Sequence, residues 1–167
     1  VLAAQAKHLT VFQRTANYST PAGNRPLGDE EQRAFNEQRD QWKDDVRHTF
    51  AGMTGFPVPT RSHRDETPEQ QREFLESRWH EGGMPQSMLA TYKDVSVDEG
   101  ANAVVADFIR GKIRELVKNP DVADILSPSK DLPIGSKRPP IDTNYFDTFN
   151  RDNVTLVDVK KAPIDRV

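Results

Sequence analysis

Lys137 and Arg138 stand side by side in front of Pro139 and Pro140, and a turn-prone Asp142-Thr143-Asn144 run follows. Each proline fixes its own φ and pushes the residue before it toward extended geometry, so Arg138 sits on a stiffened backbone. That suits a charge that must be aimed at an anion rather than waved in solvent. Taken alone, the run also fits a solvated basic turn, because charged residues mostly lie at the surface. A second stretch, Leu9-Thr10-Val11-Phe12-Gln13-Arg14-Thr15, reads as a short strand of β-branched and aromatic residues that ends on a cation beside a hydroxyl.

The elements that must hold these two stretches can be read in order. Val1 to His8 has the composition of the C-terminal half of a helix, and the strand Leu9 to Phe12 follows at once. Residues 16–26, with two prolines, a glycine and two asparagines, read as loop. Asp29 is placed to cap a helix with Glu30 and Glu31 in its first turn, and Phe35, Trp42, Val46 and Phe50 fall near one face of it. Trp42 and Trp79, on helical faces, read as core. Residues 52–59 break the pattern. Thr67-Pro68-Glu69-Gln70 combines a cap, a proline at the first helical position and a capping-box glutamine; Gly82-Gly83 ends that helix. Ser96-Val97-Asp98-Glu99 repeats the device ahead of Ala101, Val104, Val105, Phe108, Ile113, Leu116 and Val117, the strongest helical pattern in the chain. Asn119-Pro120 opens a short helix through about Leu126. Val154 to Val159 reads as a strand, and 163–167 as the start of another.

Composition narrows the chemistry. The chain has 167 residues, 35% of them apolar and 29% charged, with twelve prolines. An ordinary globular composition is roughly 45–50% apolar with glycine counted, so this chain is expected to lean on something else for part of its core. The net charge of −3 comes from interleaved acids and bases and gives no reason to expect nucleic acid. The absence of cysteine excludes disulfides, thiolate nucleophiles and Cys-based zinc sites. His8, His48, His63 and His80 lack metal-ligand spacing and read as surface or helix-end residues. Ser19, Ser62 and Ser87 lack the Gly-x-Ser-x-Gly turn of a hydrolase. No apolar run reaches the roughly 18 residues of a membrane span and no signal peptide is visible, so a soluble cytoplasmic protein is the expectation.

Taken together, the sequence resembles the NADPH-binding domain of Baeyer-Villiger monooxygenases, FAD-dependent enzymes of the cyclohexanone and phenylacetone monooxygenase type. The resemblance is carried by Val11-Phe12-Gln13-Arg14-Thr15, by Pro21-Ala22-Gly23-Asn24-Arg25-Pro26, and by Gly135-Ser136-Lys137-Arg138-Pro139-Pro140 through Phe149-Asn150-Arg151-Asp152-Asn153-Val154. It implies an α/β fold: part of a Rossmann-like NADP-binding domain with a large helical insertion and a few strands near the two ends of the chain. The expected divisions are 1–26 for the second-strand region, 27–130 for the helical insertion, and 131–167 for the return with the Lys-Arg-Pro-Pro loop. A helix running straight into the first strand is the second half of a βαβ unit. No Gly-x-Gly-x-x-Gly turn is found, so the chain is expected to be a segment of a larger enzyme.

The resemblance also implies roles. Arg14 and Thr15 fall where NAD-specific folds place an acid on the ribose 2′-hydroxyl; with no acid between Leu9 and Asn24, a guanidinium there favours the 2′-phosphate of NADP. Lys137 matches a lysine that approaches the same phosphate. Arg138 matches the arginine held near the flavin, where a fixed cation stabilises charge as oxygen is inserted beside a ketone carbonyl to give an ester or lactone. NADP and FAD are thus the implied cofactors, with FAD bound mainly outside this segment. Ketone, molecular oxygen and the FAD-binding domain of the same parent chain are the implied partners, without nucleic acid or membrane. Two alternatives stay open: a flavin-containing monooxygenase acting on nitrogen or sulfur, and a non-catalytic helical module that binds a polyanion through Arg14, Lys137 and Arg138. Lacking a glycine fingerprint, the chain by itself is expected to retain no FAD through purification; stoichiometric flavin in the purified 167-residue chain would contradict this reading.

Overall fold

A computed structural model describes residues 1–49, 52, 58–83 and 86–166, with the backbone alone for Gln86 and Ser87. The chain is a mixed helix and strand structure with few strands. The elements are α1 (Leu2–Gln5), β1 (Leu9–Gln13), β2 (Thr20–Pro21), α2 (Asp29–His48), a 3-10 turn (His63–Asp65), α3 (Pro68–Glu81), α4 (Gln86–Leu89), α5 (Glu99–Leu116), α6 (Pro120–Leu126), β3 (Ile141–Asp142), α7 (Tyr145–Thr148) and β4 (Val154–Asp158). β1 and β4, from opposite ends of the sequence, pair in parallel from Leu9 opposite Val154 to Gln13 opposite Asp158. A second parallel pair joins Thr20 to Ile141 and Pro21 to Asp142, inside stretches that read as loop. The strand expected over 163–167 is not formed at 163–166, and Val167 lies outside the described residues.

Local chemistry explains the helix ends. At α3, Thr67 Oγ1 accepts from the Gln70 N–H at 3.4 Å while Gln70 Oε1 accepts from the Thr67 N–H at 2.9 Å, the reciprocal arrangement the sequence predicts. The helix stops at Gly82, whose φ of +63° suits glycine, and a Cβ there would lie 2.6 Å from the backbone nitrogen of Gly23. The cap of α5 differs from expectation. Ser96 is taken up in a turn closed by Val97 and Asp98 N–H groups donating to the Asp94 carbonyl at 2.9 and 2.8 Å. Asp98 therefore becomes the cap, its Oδ1 accepting from the Ala101 N–H at 2.9 Å. Asp29 is likewise not a cap but the first residue of α2; Gly28 precedes it, and the Glu31 carboxylate reaches back to the Gly28 N–H at 3.0 Å.

The core sits on α5. Val105, Ile109 and Ile113 are fully buried on one face of it and pack with Leu75 and Trp79 of α3, Leu126 of α6, Phe146 and Phe149, and Tyr18 from the loop after β1. Trp79 meets Phe108 edge to face at 6.1 Å. Trp42 is not part of this core, contrary to the sequence reading. No described residue of α2 is buried, and Phe35 and Trp42 pack on each other at 5.0 Å with Phe35 exposed. The helix is charged around most of its circumference, and its narrow apolar stripe meets too little surface to be covered. Phe50, expected on the same stripe, lies outside the described residues.

His63, read as a surface or helix-end residue, stands at one end of the 3-10 turn but is not at the surface. Its ring lies between Asp94, 3.4 Å from Nδ1, and Asp98, 3.7 Å from Nε2, with only 12% of the side chain exposed. Among the described residues no helix is long and apolar enough to cross a membrane. Burial predicts how stability is distributed. Ile113→Ala should cost roughly 2–5 kcal/mol in urea unfolding, whereas Phe35→Ala should change it by no more than about 0.5 kcal/mol; equal losses would mean that α2 is part of the cooperative core.

Candidate functional site

Two stretches over a hundred residues apart meet on one side of the molecule. Arg14 and Thr15 leave the end of β1, where the Val159 N–H donates to the Gln13 carbonyl at 3.0 Å. The Gln13 side chain in turn donates to the Ile125 carbonyl of α6 at 2.7 Å. This fixes the strand end on two sides, so the backbone that carries Arg14 is set by the sheet and by α6 rather than by the loop.

The loop bearing Lys137 and Arg138 is anchored from the core. Asn102, on α5, accepts from the Ile134 N–H at 3.0 Å and donates to the Ile134 carbonyl at 3.0 Å, which occupies both groups of one peptide unit's neighbours with a single amide. Tyr18, almost wholly buried, donates its hydroxyl to the Leu132 carbonyl at 2.6 Å and accepts from the buried Arg110 guanidinium at 2.5 Å. Burial raises the Tyr18 hydroxyl above the usual tyrosine range despite the adjacent cation. Gly135 follows at φ +91°, a conformation that side chains rarely adopt, and releases the chain into the exposed Ser136-Lys137-Arg138 run. Pro139 is buried and Arg138 exposed, so the proline fastens the backbone while the guanidinium stays outside.

Past the prolines the two stretches are joined directly. The Thr20 N–H donates to the Pro140 carbonyl at 3.2 Å and the Ala22 N–H to the Asp142 carbonyl at 2.7 Å. The buried Ser19 hydroxyl donates to Asp142 Oδ2 at 2.5 Å. The other carboxylate oxygen, Oδ1, accepts from the Tyr145 N–H at 2.8 Å. Asp142 is thus occupied by internal donors on both oxygens. The Tyr145 hydroxyl is raised above its ordinary value by burial and then by the charge of Asp142.

The result is a cleft of about 590 Å³ in which Arg14, Thr15 and Lys137 line the same space as Phe12, Asn17 and Tyr145. Arg138 is not among its lining residues. Two cations, Arg14 and Lys137, share the cleft with one carboxylate, Asp142, whose oxygens are turned to internal donors. On the helices several cations have partners: Arg110 on Asp107, Lys112 on Glu76 and Glu115, Arg78 on Glu81. Among the described residues, the side chains of Arg14, Lys137 and Arg138 make no ion pair or hydrogen bond. Uncompensated cations and a hydroxyl around one cleft make an anion site, with a guanidinium able to offer two parallel donors.

Sequence reasoning singled out Arg14, Thr15, Lys137 and Arg138; the fold brings the first three to one cleft and leaves Arg138 beside it. It assigned no part in this site to Asn17, Asn102 or Tyr145, set Ser19 aside as a nucleophile, and read Asp142 only as a turn former. Asn17 and Asp142 carried a faint signal, as polar turn formers next to the two motifs, while Asn102 sits mid-helix with nothing local to mark it. Among the described residues no group of histidines and carboxylates could hold a metal. Ser62 donates to Asp94 at 2.7 Å rather than to a histidine, so it is not an activated nucleophile.

Comparison with known proteins gives a consistent relationship. No family model matches the chain. It is 41% identical over 159 residues, 95% of its length, to a Baeyer-Villiger monooxygenase of Pseudooceanicola batsensis, and covers 28% of that protein. It is 35% identical over 159 residues, again 95% of its length, to the phenazine N-monooxygenase PhzNO1 of Lysobacter antibioticus, of which it covers 29%. Among solved structures, OTEMO in complex with FAD and NADP superposes with a TM-score of 0.89 at 38% identity, over 99% of this chain and 30% of that one. The chain therefore spans about three tenths of the length of the relatives it matches, and over that span it is a homologue of Baeyer-Villiger monooxygenases.

The anchoring of the loop predicts a measurable weakness. Asn102→Ala leaves the Ile134 N–H and carbonyl without their partner and should cost about 1–3 kcal/mol in denaturant unfolding. Hydrogen exchange at Ser136 and Lys137 should rise in the same variant. Unchanged exchange there would mean that Asn102 does not hold the loop.

Proposed function

We propose, from this homology, that the chain is a segment of an NADPH- and FAD-dependent monooxygenase that inserts oxygen beside a ketone carbonyl to give an ester or lactone. The observation that carries the reading is the cleft itself, in which Arg14, Thr15 and Lys137 converge without internal partners. The parallel β1–β4 pair is read as part of a Rossmann-like NADP-binding domain, and the helices between, within 27–130, as its insertion; 1–26 and 131–167 are the flanking parts of that domain. In such a domain the end of the second strand faces the adenosine ribose.

The cleft residues fit the 2′-phosphate end of NADP. Arg14 would offer two parallel donors, Lys137 a compact charge, and Thr15 a neutral hydroxyl donor. An acid at the strand end would repel that phosphate, and none stands between Leu9 and Asn24. FAD would be held by other parts of the parent and would supply the redox chemistry of oxygen transfer, with NADPH as the source of electrons. Arg138, on a backbone stiffened by Pro139 and Pro140, holds a permanent positive charge beside the nucleotide cleft rather than in it. Its proposed task is to stabilise negative charge that builds during oxygen transfer, and a guanidinium does so without giving up a proton. The partners under this reading are the ketone, molecular oxygen and the FAD-binding domain, in the cytoplasm.

A second reading rests on one observation: a phenazine N-monooxygenase matches the same stretch at 35% identity. Nitrogen oxidation on the same cofactors is therefore the runner-up, and the chemistry at Arg138 separates the two. The non-catalytic polyanion-binding module has no support in the comparisons.

In the complete enzyme, Arg14→Ala and Lys137→Ala should raise KM for NADPH far more than for NADH, each lost charge-assisted contact costing about 1.5–3 kcal/mol. Equal losses with both cofactors would mean that neither residue reads the 2′-phosphate. Arg138→Ala should leave NADP affinity nearly intact and abolish ester formation, and Arg138→Lys should fail as well, because lysine lacks the planar fork. Near-parental ester formation by the alanine variant, followed by product analysis with ketone and NADPH, would reduce Arg138 to a basic turn residue.

A further inference from the structure

The amide of Asn17 bridges the two halves of the cleft. Its Nδ2 donates to the Arg138 carbonyl at 3.0 Å, across 121 positions of sequence. Its Oδ1 accepts from the Tyr18 N–H at 3.0 Å. Tyr18 is immobilised in turn: 1% exposed, its hydroxyl held by Leu132 and Arg110. Both ends of the Asn17 amide are therefore fixed, one on the rigid wall that follows Arg14-Thr15 and the other on the loop that carries Lys137.

The loop has little else to hold it there. Ile134 is pinned by Asn102, and Pro140 by the Thr20 N–H. Between them Ser136 bonds only back to Pro133. Besides the burial of Pro139, the Asn17 bond is, among the described residues, the one hydrogen bond from 135–139 to a distant part of the chain. A dianion between two cations gains most when both are already at the right separation, since Coulomb attraction falls with distance and ordering a loose side chain on binding costs entropy.

We infer that Asn17 is a positioning residue that sets the spacing between Arg14 and Lys137, and so decides how well the cleft reads a 2′-phosphate. The inference rests on the nucleotide reading proposed above. It makes Asn17 a specificity determinant that touches no phosphate itself.

The test is calorimetric titration of the 167-residue chain with adenosine 2′,5′-bisphosphate and with 5′-AMP, which differ only in the 2′-phosphate. The wild-type chain should prefer the bisphosphate. Asn17→Ala, and the isosteric Asn17→Asp that replaces the donor by an oxygen, should each weaken bisphosphate binding about three- to tenfold while leaving 5′-AMP binding unchanged. In a Lys137→Ala background, Asn17→Ala should add no further loss. A purely structural role would lower both ligands alike and add to the Lys137→Ala loss, and that result, or a full preference kept in both Asn17 variants, overturns the inference alone. A wild-type chain without any preference overturns the nucleotide reading and this inference with it. A measurement free of variants guards against loss of folding: the Asn17 side-chain amide resonance should shift on binding the bisphosphate and not on binding 5′-AMP, and the absence of that difference counts against the inference.

Discussion

The structure depends on a stitching of backbone and side chains between residues 17–22 and 138–142. Thr20 and Ala22 donate their N–H groups to the carbonyls of Pro140 and Asp142, and the buried Ser19 hydroxyl reaches the Asp142 carboxylate. Contacts this distant in sequence are entropically costly to form and need a core behind them. The core is supplied by α5 (Glu99–Leu116), which carries Asn102 and Arg110 toward the same side. α5, which does not line the cleft, thus helps to fix the segments that carry the cations. The parallel pairing of β1 (Leu9–Gln13) with β4 (Val154–Asp158) closes the arrangement from the other end.

That stitching also decides the electrostatics. Asp142 lines the same cleft as Arg14 and Lys137 and keeps its charge there. Its two oxygens are engaged by Ser19 and by the Tyr145 N–H, so it forms no ion pair with either cation. The acid serves the turn, and the donors of both cations remain open to a ligand. Elsewhere on the surface several lysines and arginines are paired at i,i+3 or across helices, and each such pair contributes little.

Much of the scaffold was legible because its signals are local. Thr67-Pro68-Glu69-Gln70 and Asn119-Pro120 name their helix starts through hydrogen bonds within four residues, and both helices are observed where those residues place them. The strand ending at Gln13 follows from β-branched and aromatic content. What stayed hidden is non-local. The Thr20–Ile141 pairing lies in proline-rich segments that read as loop. Ser96 lost its cap role to Asp98 because of a turn at Asp94, and Trp42 gave the pattern of a core residue although no described residue of its helix is buried. Of the site, the charged motif residues stood out by type and spacing. Asn17 and Asn102 did not, because an amide's value lies in which distant carbonyl it meets.

In the proposed reading the cleft between Arg14 and Lys137 receives the 2′-phosphate of NADP. A crystal structure of the chain grown with saturating NADP⁺ is the decisive test. Phosphate density is expected within hydrogen-bonding distance of the Arg14 guanidinium, the Thr15 hydroxyl and the Lys137 ammonium, with Arg138 outside the phosphate shell. Nucleotide bound at another surface, or in this cleft with its 2′-phosphate turned to solvent, would contradict it.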